Sequence, residues 1–164
     1  MVTIVTSYYD DIDLFKKYWL PLIYKHGPME FIIVDNFSQK YKAQIVDQNA
    51  PNLKLFYLTV GHYTYGQAML KGVEQASNNI VFITDIRALP AYDTMVLLED
   101  VKPDEILKPK WLDKYYRDDN KPISFAGEKE KLLQISGQDY ERLGQYIQKF
   151  NPTIKPKGTL YYVQ

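Results

Sequence analysis

Cysteine is absent from this chain of 164 residues, and its formal net charge is zero. Without cysteine the chain has no disulfide and no thiolate metal ligand, which fits a reducing compartment. Proteins that bind a nucleic-acid backbone normally carry a basic surplus, whereas here 20 basic residues balance 20 acidic ones. No apolar run approaches the roughly 20 residues of a membrane span, and the start lacks the basic region of a signal peptide. We therefore predict a cytoplasmic protein with no nucleic-acid partner and no transmembrane segment.

Apolar runs alternate with polar amphipathic segments along the first 90 residues. This alternation predicts a three-layer α/β/α sandwich with a mostly parallel central sheet. With 46% hydrophobic residues the chain can bury one core, so residues 1–164 are predicted to form a single domain. The predicted strands are Val2–Thr6, Met29–Val34, Leu53–Val60 and Ile80–Ile83.

Beyond Pro90 the pattern is less regular. We expect helices over Tyr92–Asp100 and Gln138–Phe150, and a strand over Ile123–Ala126. Thr159–Val163 is expected to add a last strand at the edge of the sheet. The region between, residues 102–121, carries prolines and many charges and is interpreted as a surface excursion.

Polar clusters follow three of the predicted strands, and the carboxyl ends of parallel strands converge on one crevice. Thr6 and Tyr8 follow the first strand and can contact a ribose or stack on a base, although Thr6 can equally cap a loop. Asp35 and Asn36 follow the second strand and can accept from a uracil imide or a ribose hydroxyl. The alternative for this pair is an ordinary turn, since both residue types bond their own backbone in loops.

Two further clusters concern phosphate. Gly66 opens a predicted helix whose free backbone donors suit a phosphate group, and Lys71 can add charge there. Asp85 ends the fourth strand and offers one carboxylate to a divalent cation, where two would be preferred. Arg87, two residues later, can neutralise a diphosphate directly through its planar guanidinium. The alternative is a surface salt bridge at a strand end.

Four segments in this order and at these spacings resemble the nucleotide-binding half of family 2 glycosyltransferases, which have the GT-A fold. They are Thr3–Tyr8, Phe31–Ser38, Tyr65–Ala76 and Ile80–Asp85. The resemblance covers residues 1–98, which would form the nucleotide-sugar-binding half, and leaves residues 99–164 as a reduced acceptor-side half. A weaker similarity to the acceptor-side stretch of the family lies in residues 132–142.

The resemblance implies a hexosyltransferase-type enzyme that moves a sugar from a nucleotide diphosphate sugar, with a UDP-sugar favoured, to a glycan or other hydroxyl acceptor. Thr6, Tyr8, Asp35 and Asn36 would hold the nucleoside, with Gly66 and Lys71 nearby. Asp85, with Arg87 beside it, would lie near the ribose and a Mn²⁺ or Mg²⁺ ion.

Asp139 is implied as the general base of an inverting displacement, with Glu141 as the second candidate.

The sequence departs from the family at the fourth strand. Ile86 and Arg87 follow Asp85, where family members usually carry Asp-x-Asp or Asp-Asp. This departure supports an alternative hypothesis, a non-catalytic binding or structural module with a decayed metal site. A nucleotidyltransferase-like enzyme is a third hypothesis, but the segment Thr6–Asp13 lacks the glycine-rich basic loop it needs.

Overall fold

The described residues form ten short strands in two sheets. The computed structural model describes residues 1–42, 50–59, 63–112, 124–135 and 142–164. In chain order the strands are β1 (Val2–Tyr8), β2 (Glu30–Asp35), β3 (Leu53–Tyr57), β4 (Ile80–Thr84), β5 (Ala88–Pro90), β6 (Glu105–Leu107), β7 (Lys110–Trp111), β8 (Phe125–Glu128), β9 (Thr153–Lys155) and β10 (Thr159–Tyr162).

The central sheet has seven strands in the order β3-β2-β1-β4-β8-β6-β9. All of them run in one direction except β8, which is antiparallel to both of its neighbours. Parallel pairing aligns Tyr8 at the end of β1 with Asp35 at the end of β2. On the other side of β1, Thr6 is aligned with Thr84 at the end of β4. The polar strand ends therefore lie along one edge of the sheet, which we call the carboxyl edge.

The helices cover both faces of this sheet. The first helical region is continuous and consists of α1 (Ile12–Leu14), a π-helical turn (Phe15–Trp19) and α2 (Leu20–Lys25). The later helices are α3 (Tyr65–Gln75), α4 (Tyr92–Leu98), α5 (Lys129–Leu132) and α6 (Arg142–Phe150). Within the described residues, none of these helices is long and apolar enough to cross a membrane.

The apolar residues of the central strands alternate between two cores, one on each face of the sheet. In β1, Ile4 packs into the core that contains Phe15 and Trp19, while Val5 packs into the core that contains Met69 of α3. This period of two follows from the pleat of a strand, and burial on both faces explains the continuous apolar runs in the sequence. The predicted three-layer α/β/α sandwich with a mostly parallel sheet is confirmed.

Small residues let α3 approach the sheet closely. A Cβ atom on Gly72 would overlap Val5 and lie 2.7 Å from Cγ2 of Val34. Such a distance is well inside van der Waals contact, so only glycine fits at this position without a shift of the sheet. The close approach of α3 to the sheet therefore depends on Gly72.

The C-terminal strand is the main difference from the predicted topology. Strand β10 does not join the edge of the central sheet but lies at the centre of a second sheet, in the order β5-β10-β7. It pairs antiparallel with β5, which directly follows β4, and parallel with β7, which belongs to the predicted surface excursion. The second sheet therefore brings the C-terminal residues next to the turn after β4. The central sheet also contains strands from both predicted halves of the chain, and the pairing of β4 with β8 links the two halves directly.

Candidate functional site

An open cleft of about 570 Å³ lies at the carboxyl edge of the central sheet. The loops after β1, β2 and β4 all contribute to its lining, together with the π-helical turn and the C-terminal segment. The lining residues are Asp10, Asp11, Ile12, Asp13, Leu14, Lys17, Tyr41, Arg87, Tyr162 and Gln164. We call this feature the carboxyl-edge cleft. Ligands of open α/β sheets bind in the corresponding position, outside the carboxyl ends of the strands.

Asp10 joins the loops that follow β1 and β2. Its carboxylate accepts hydrogen bonds from the backbone N–H groups of Gln39, Lys40 and Tyr41, at 3.3, 2.9 and 2.6 Å. Its own N–H donates to Oγ of Ser38 at 2.9 Å. Burial alone would raise the pKa of Asp10, but the three backbone donors outweigh it and hold the pKa below its usual value. On this side of the cleft, the loops after β1 and β2 are therefore held together by hydrogen bonds.

Thr6, Tyr8 and Asp35 lie beneath the cleft and not on its surface. Their exposed fractions are 0%, 1% and 1%. The Tyr8 ring packs edge-on against Phe15, and its hydroxyl donates to the Tyr41 carbonyl at 2.6 Å. Burial, and next the Asp35 carboxylate, raise the pKa of Tyr8 above its usual value. The predicted stacking of Tyr8 on a base does not fit this burial, because the ring is enclosed by the core.

Asp35 and Asn36 organise the same edge of the sheet. Oδ1 of Asp35 accepts from the backbone N–H of Ser38 at 2.8 Å, which is the turn that sequence reasoning offered as the alternative. The backbone N–H of Asn36 donates to the Tyr8 carbonyl at 2.8 Å. Its side-chain amide donates to the carbonyl of Tyr63 at 3.2 Å, just before α3. The structure thus brings the loop after β2 next to the start of α3.

At the start of α3, the backbone donors are partly used by the helix itself. Thr64 and Gln67 form a reciprocal capping box, in which the N–H of Gln67 donates to Thr64 Oγ1 at 3.2 Å. Gly66 is buried in the first turn. Lys71 lies more than one turn further along and pairs with Glu74 at 3.5 Å, so its charge is directed toward the second half of the helix. Neither Gly66 nor Lys71 lines the carboxyl-edge cleft.

The turn after β4 is held from three directions. Oδ1 of Asp85 accepts from the backbone N–H of Arg87 at 2.8 Å, and the guanidinium of Arg87 lies 3.4 Å from Oδ1 of Asp11. The side chain of Tyr162 also hydrogen-bonds Arg87. The indole N–H of Trp19 donates to the carbonyl of the intervening residue, Ile86, at 2.6 Å. Of the sequence-predicted site residues that the structure describes, Arg87 is the one that lines the cleft.

The electrostatics of this turn are those of a partly buried acid beside a cation. Burial raises the pKa of Asp85, Arg87 lowers it through its backbone N–H and its charge, and the Asp11 carboxylate raises it again; the net shift is upward. A raised pKa means that the surroundings disfavour the charged form of Asp85.

The residues at this position do not fit a divalent cation. Mn²⁺ and Mg²⁺ favour several oxygen ligands, usually including carboxylates. In the described part of the chain there is no group of three or more acidic or histidine side chains that could hold a metal ion. Asp85 already accepts from Arg87, whose guanidinium would repel a cation.

Sequence reasoning missed Asp10, Asp11 and Tyr162 as site residues. Asp10 and Asp11 follow directly after β1, so their position at a strand end was a usable signal. Tyr162 carried no such signal, because its place in the cleft depends on the pairing of β10 with β5. The predicted base candidates, Asp139 and Glu141, lie outside the described residues.

Comparison with solved structures places this arrangement among known folds. The mannosyltransferase PcManGT from Pyrobaculum calidifontis, in complex with GDP-Man and Mn²⁺, superposes with a TM-score of 0.74 at 18% identity over 98% of this chain. TarS from S. aureus gives a TM-score of 0.79 at 15% identity over 99% of the chain. The chain has the GT-A fold. No protein-family model matches the sequence, and no curated protein sequence matches it.

A third similar structure is glucosyl-3-phosphoglycerate synthase from Mycobacterium tuberculosis, in complex with Mn²⁺, UDP and phosphoglyceric acid, with a TM-score of 0.72 at 14% identity. At such identities the likeness concerns the fold. The chain covers 56% of the mannosyltransferase, 36% of TarS and 71% of the synthase. These neighbours are glycosyltransferases with GT-A folds, but they extend beyond the part that this chain matches.

Proposed function

We propose that this protein is a glycosyltransferase that transfers a sugar from a nucleotide diphosphate sugar, with a UDP-sugar favoured, to a hydroxyl acceptor such as a glycan. The observation that supports this best is the carboxyl-edge cleft, where the loops after β1, β2 and β4 meet in a GT-A fold. Its lining combines the cations Lys17 and Arg87 with the rings of Tyr41 and Tyr162, beside three aspartates of the loop after β1 and the start of α1. Cations suit a diphosphate, and amphipathic rings suit a nucleoside or a sugar.

In this proposal the buried polar residues shape the nucleoside end of the site. Asp35 fixes the turn at Ser38, and Tyr8 holds the Tyr41 carbonyl from below. Asn36 links that turn to the residue before the N-terminus of α3, the helix that carries Gly66 and Lys71. Thr6 lies under the same edge. These residues act by positioning the loop that receives the nucleoside.

The chemical step that we propose is a single in-line displacement with inversion. The acceptor oxygen forms a bond to the anomeric carbon while the bond from that carbon to the diphosphate oxygen breaks. The electron pair of the broken bond stays on the diphosphate, and a general base removes the proton of the acceptor hydroxyl. Asp139, or Glu141, is the proposed base. The division into a donor half over residues 1–98 and an acceptor half over residues 99–164 belongs to the same proposal.

Titration calorimetry tests the donor half of the proposal. UDP, GDP, UDP-glucose, UDP-GlcNAc and GDP-mannose are titrated into the protein with Mn²⁺ and with excess EDTA. Binding of one nucleotide with a saturable isotherm supports the proposal, and the absence of binding for all of them in both buffers refutes it. Release of UDP or GDP from the bound donor, with an Asp139→Asn variant as the comparison, then tests turnover.

The alternative function is a binding module without catalysis. The engagement of Asp85 by the Arg87 N–H supports this candidate, and among the described residues no group of three or more acidic or histidine side chains could hold a metal ion. Under this alternative, nucleotides bind but no donor is consumed with or without Mn²⁺. Donor hydrolysis or transfer above the buffer rate, reduced in the Asp139→Asn variant, would exclude it.

A further inference from the structure

Arg87 presents a positive charge at the carboxyl edge of the central sheet, in the turn that follows β4. Its side chain is 48% exposed and lines the carboxyl-edge cleft, next to the end of β4. A guanidinium binds phosphate oxygens through two parallel N–H bonds, so a single arginine can supply both charge and geometry. Lys17 adds a second positive charge to the same cleft.

The backbone under Arg87 is fixed, while its charged end is half-exposed and contacts Asp11 and Tyr162. Oδ1 of Asp85 anchors the Arg87 N–H at 2.8 Å, and Trp19 anchors the Ile86 carbonyl at 2.6 Å from inside the core. By contrast, the guanidinium pairs with Asp11 at 3.4 Å, and the side chain of Asp11 is 30% exposed. Ion pairs of this exposure are weak because solvent screens them. A diphosphate, with more charge than one carboxylate, can therefore displace Asp11.

We propose that Arg87 binds the diphosphate of the donor in place of a divalent cation, and that Asp11 holds the guanidinium until the donor displaces it. This inference rests on the proposed function, because it concerns the same donor. Asp85 acts in it as a positioning residue, through an acceptor oxygen that an asparagine would keep. Tyr162, which reaches Arg87 from β10, supports the guanidinium from the second sheet.

The test is UDP affinity, measured by calorimetry in EDTA and in Mn²⁺, with uridine as the ligand that lacks phosphate. We expect equal UDP affinity in the two buffers. Arg87→Met should weaken UDP binding about 10- to 100-fold, the loss of a pair of charge-assisted hydrogen bonds, and leave uridine binding unchanged. The UDP affinity of Arg87→Lys should lie between those of the parent and of Arg87→Met, because lysine keeps the positive charge but lacks the planar guanidinium. Lys16→Met is the matched control, since Lys16 is exposed beside Lys17 but does not line the cleft.

Two further variants test whether a change in UDP binding reflects misfolding or a metal site instead of the role proposed for Arg87. Asp11→Asn removes the competing carboxylate and should tighten UDP binding several-fold, a gain that a folding defect cannot imitate. Asp85→Asn should leave UDP affinity within about twofold of the parent, whereas loss of a metal ligand would abolish a metal-dependent site.

The outcomes distinguish the inference from the function on which it rests. UDP binding that requires Mn²⁺ and is lost in Asp85→Asn would overturn the role of Arg87 and leave the glycosyltransferase proposal standing. EDTA-insensitive binding that is unchanged in Arg87→Met would overturn it as well. No binding of any nucleotide in either buffer would remove the proposed function itself.

Discussion

Glu30 offers a test of how the opposite edge of the sheet is held together. Its carboxylate, at the start of β2, accepts hydrogen bonds from the Thr3 hydroxyl, the Lys54 ammonium, and the N–H and hydroxyl of Ser77, the last two both at 2.8 Å. These donors come from β1, from β3 and from the segment between α3 and β4. The substitution Glu30→Gln keeps the size of this side chain and removes its charge.

The expected loss of stability in Glu30→Gln follows from the pKa of Glu30. Burial raises that pKa, but the hydrogen bonds from Lys54, Thr3 and Ser77 outweigh it and lower the pKa from 4.5 to about 2. At about 1.4 kcal/mol for each pKa unit, the charged form is stabilised by roughly 3 kcal/mol. The Lys54 side chain is 53% exposed, so screening reduces its share. We expect Glu30→Gln to lower the free energy of unfolding by about 2–3 kcal/mol at pH 7.

The pH dependence has a definite sign. A carboxyl whose pKa is lowered on folding stabilises the protein above its unfolded pKa, and that contribution is lost as the pH falls through the folded pKa. The difference between the parent and Glu30→Gln should therefore be constant above about pH 5 and shrink between about pH 4.5 and pH 2. Chemical denaturation followed by circular dichroism at pH 7 and pH 3 measures it.

Glu74→Gln serves as the matched control. Glu74 is 47% exposed and pairs with Lys71 across one turn of α3 at 3.5 Å. Such a pair contributes at most about 0.5 kcal/mol. If Glu30→Gln costs no more than Glu74→Gln, or if its cost at pH 3 equals its cost at pH 7, the assigned role of the Glu30 network is wrong.

Three other perturbations test the packing and the loops. Gly72→Ala should destabilise the protein by about 1–3 kcal/mol, because a methyl group cannot fit between α3 and the sheet. Gly144→Ala, on the open side of α6, should stabilise it by about 0.5–1 kcal/mol. Thermal unfolding compares the two variants, and equal shifts of the melting temperature would contradict the packing at Gly72. Trp19→Phe should cost about 1–3 kcal/mol in denaturant unfolding, since a buried carbonyl after β4 loses its donor, and an unchanged midpoint would contradict this. Asp10→Ala should speed tryptic cleavage after Lys40, because the loop loses three hydrogen bonds, and an unchanged cleavage rate would show that the loop does not depend on them.

The layered core was readable in the sequence because it depends on local periodicity. Runs such as Phe31–Val34 and Ile80–Ile83 are apolar at every position, which is what a strand buried on both faces requires. Ala68 and Gly72 are buried residues of α3 and lie four positions apart, so the sequence already shows small residues on one side of this helix. These features belong to single segments, so no knowledge of distant partners was needed.

The second sheet could not be read in this way. Residues 159–163 have strand character, but nothing within them specifies whether they pair with the central sheet or with β5 and β7. Strand pairing over such a separation depends on which edges the rest of the fold leaves open. The place of Tyr162 beside Arg87 is therefore a property of the tertiary structure.

The local pattern of apolar and polar residues is enough to identify the polar residues that follow the parallel strands, and so the edge of the sheet that carries the candidate site. Which of these residues face the cleft depends on how the segments pack together. Asp35 turns inward to cap its own loop, and Tyr8 is enclosed by the π-helical turn, while Arg87 points outward because Trp19 and Asp85 fix the backbone beneath it. Strand position is set by local pattern, but the direction and burial of a side chain depend on contacts with residues far away in the chain.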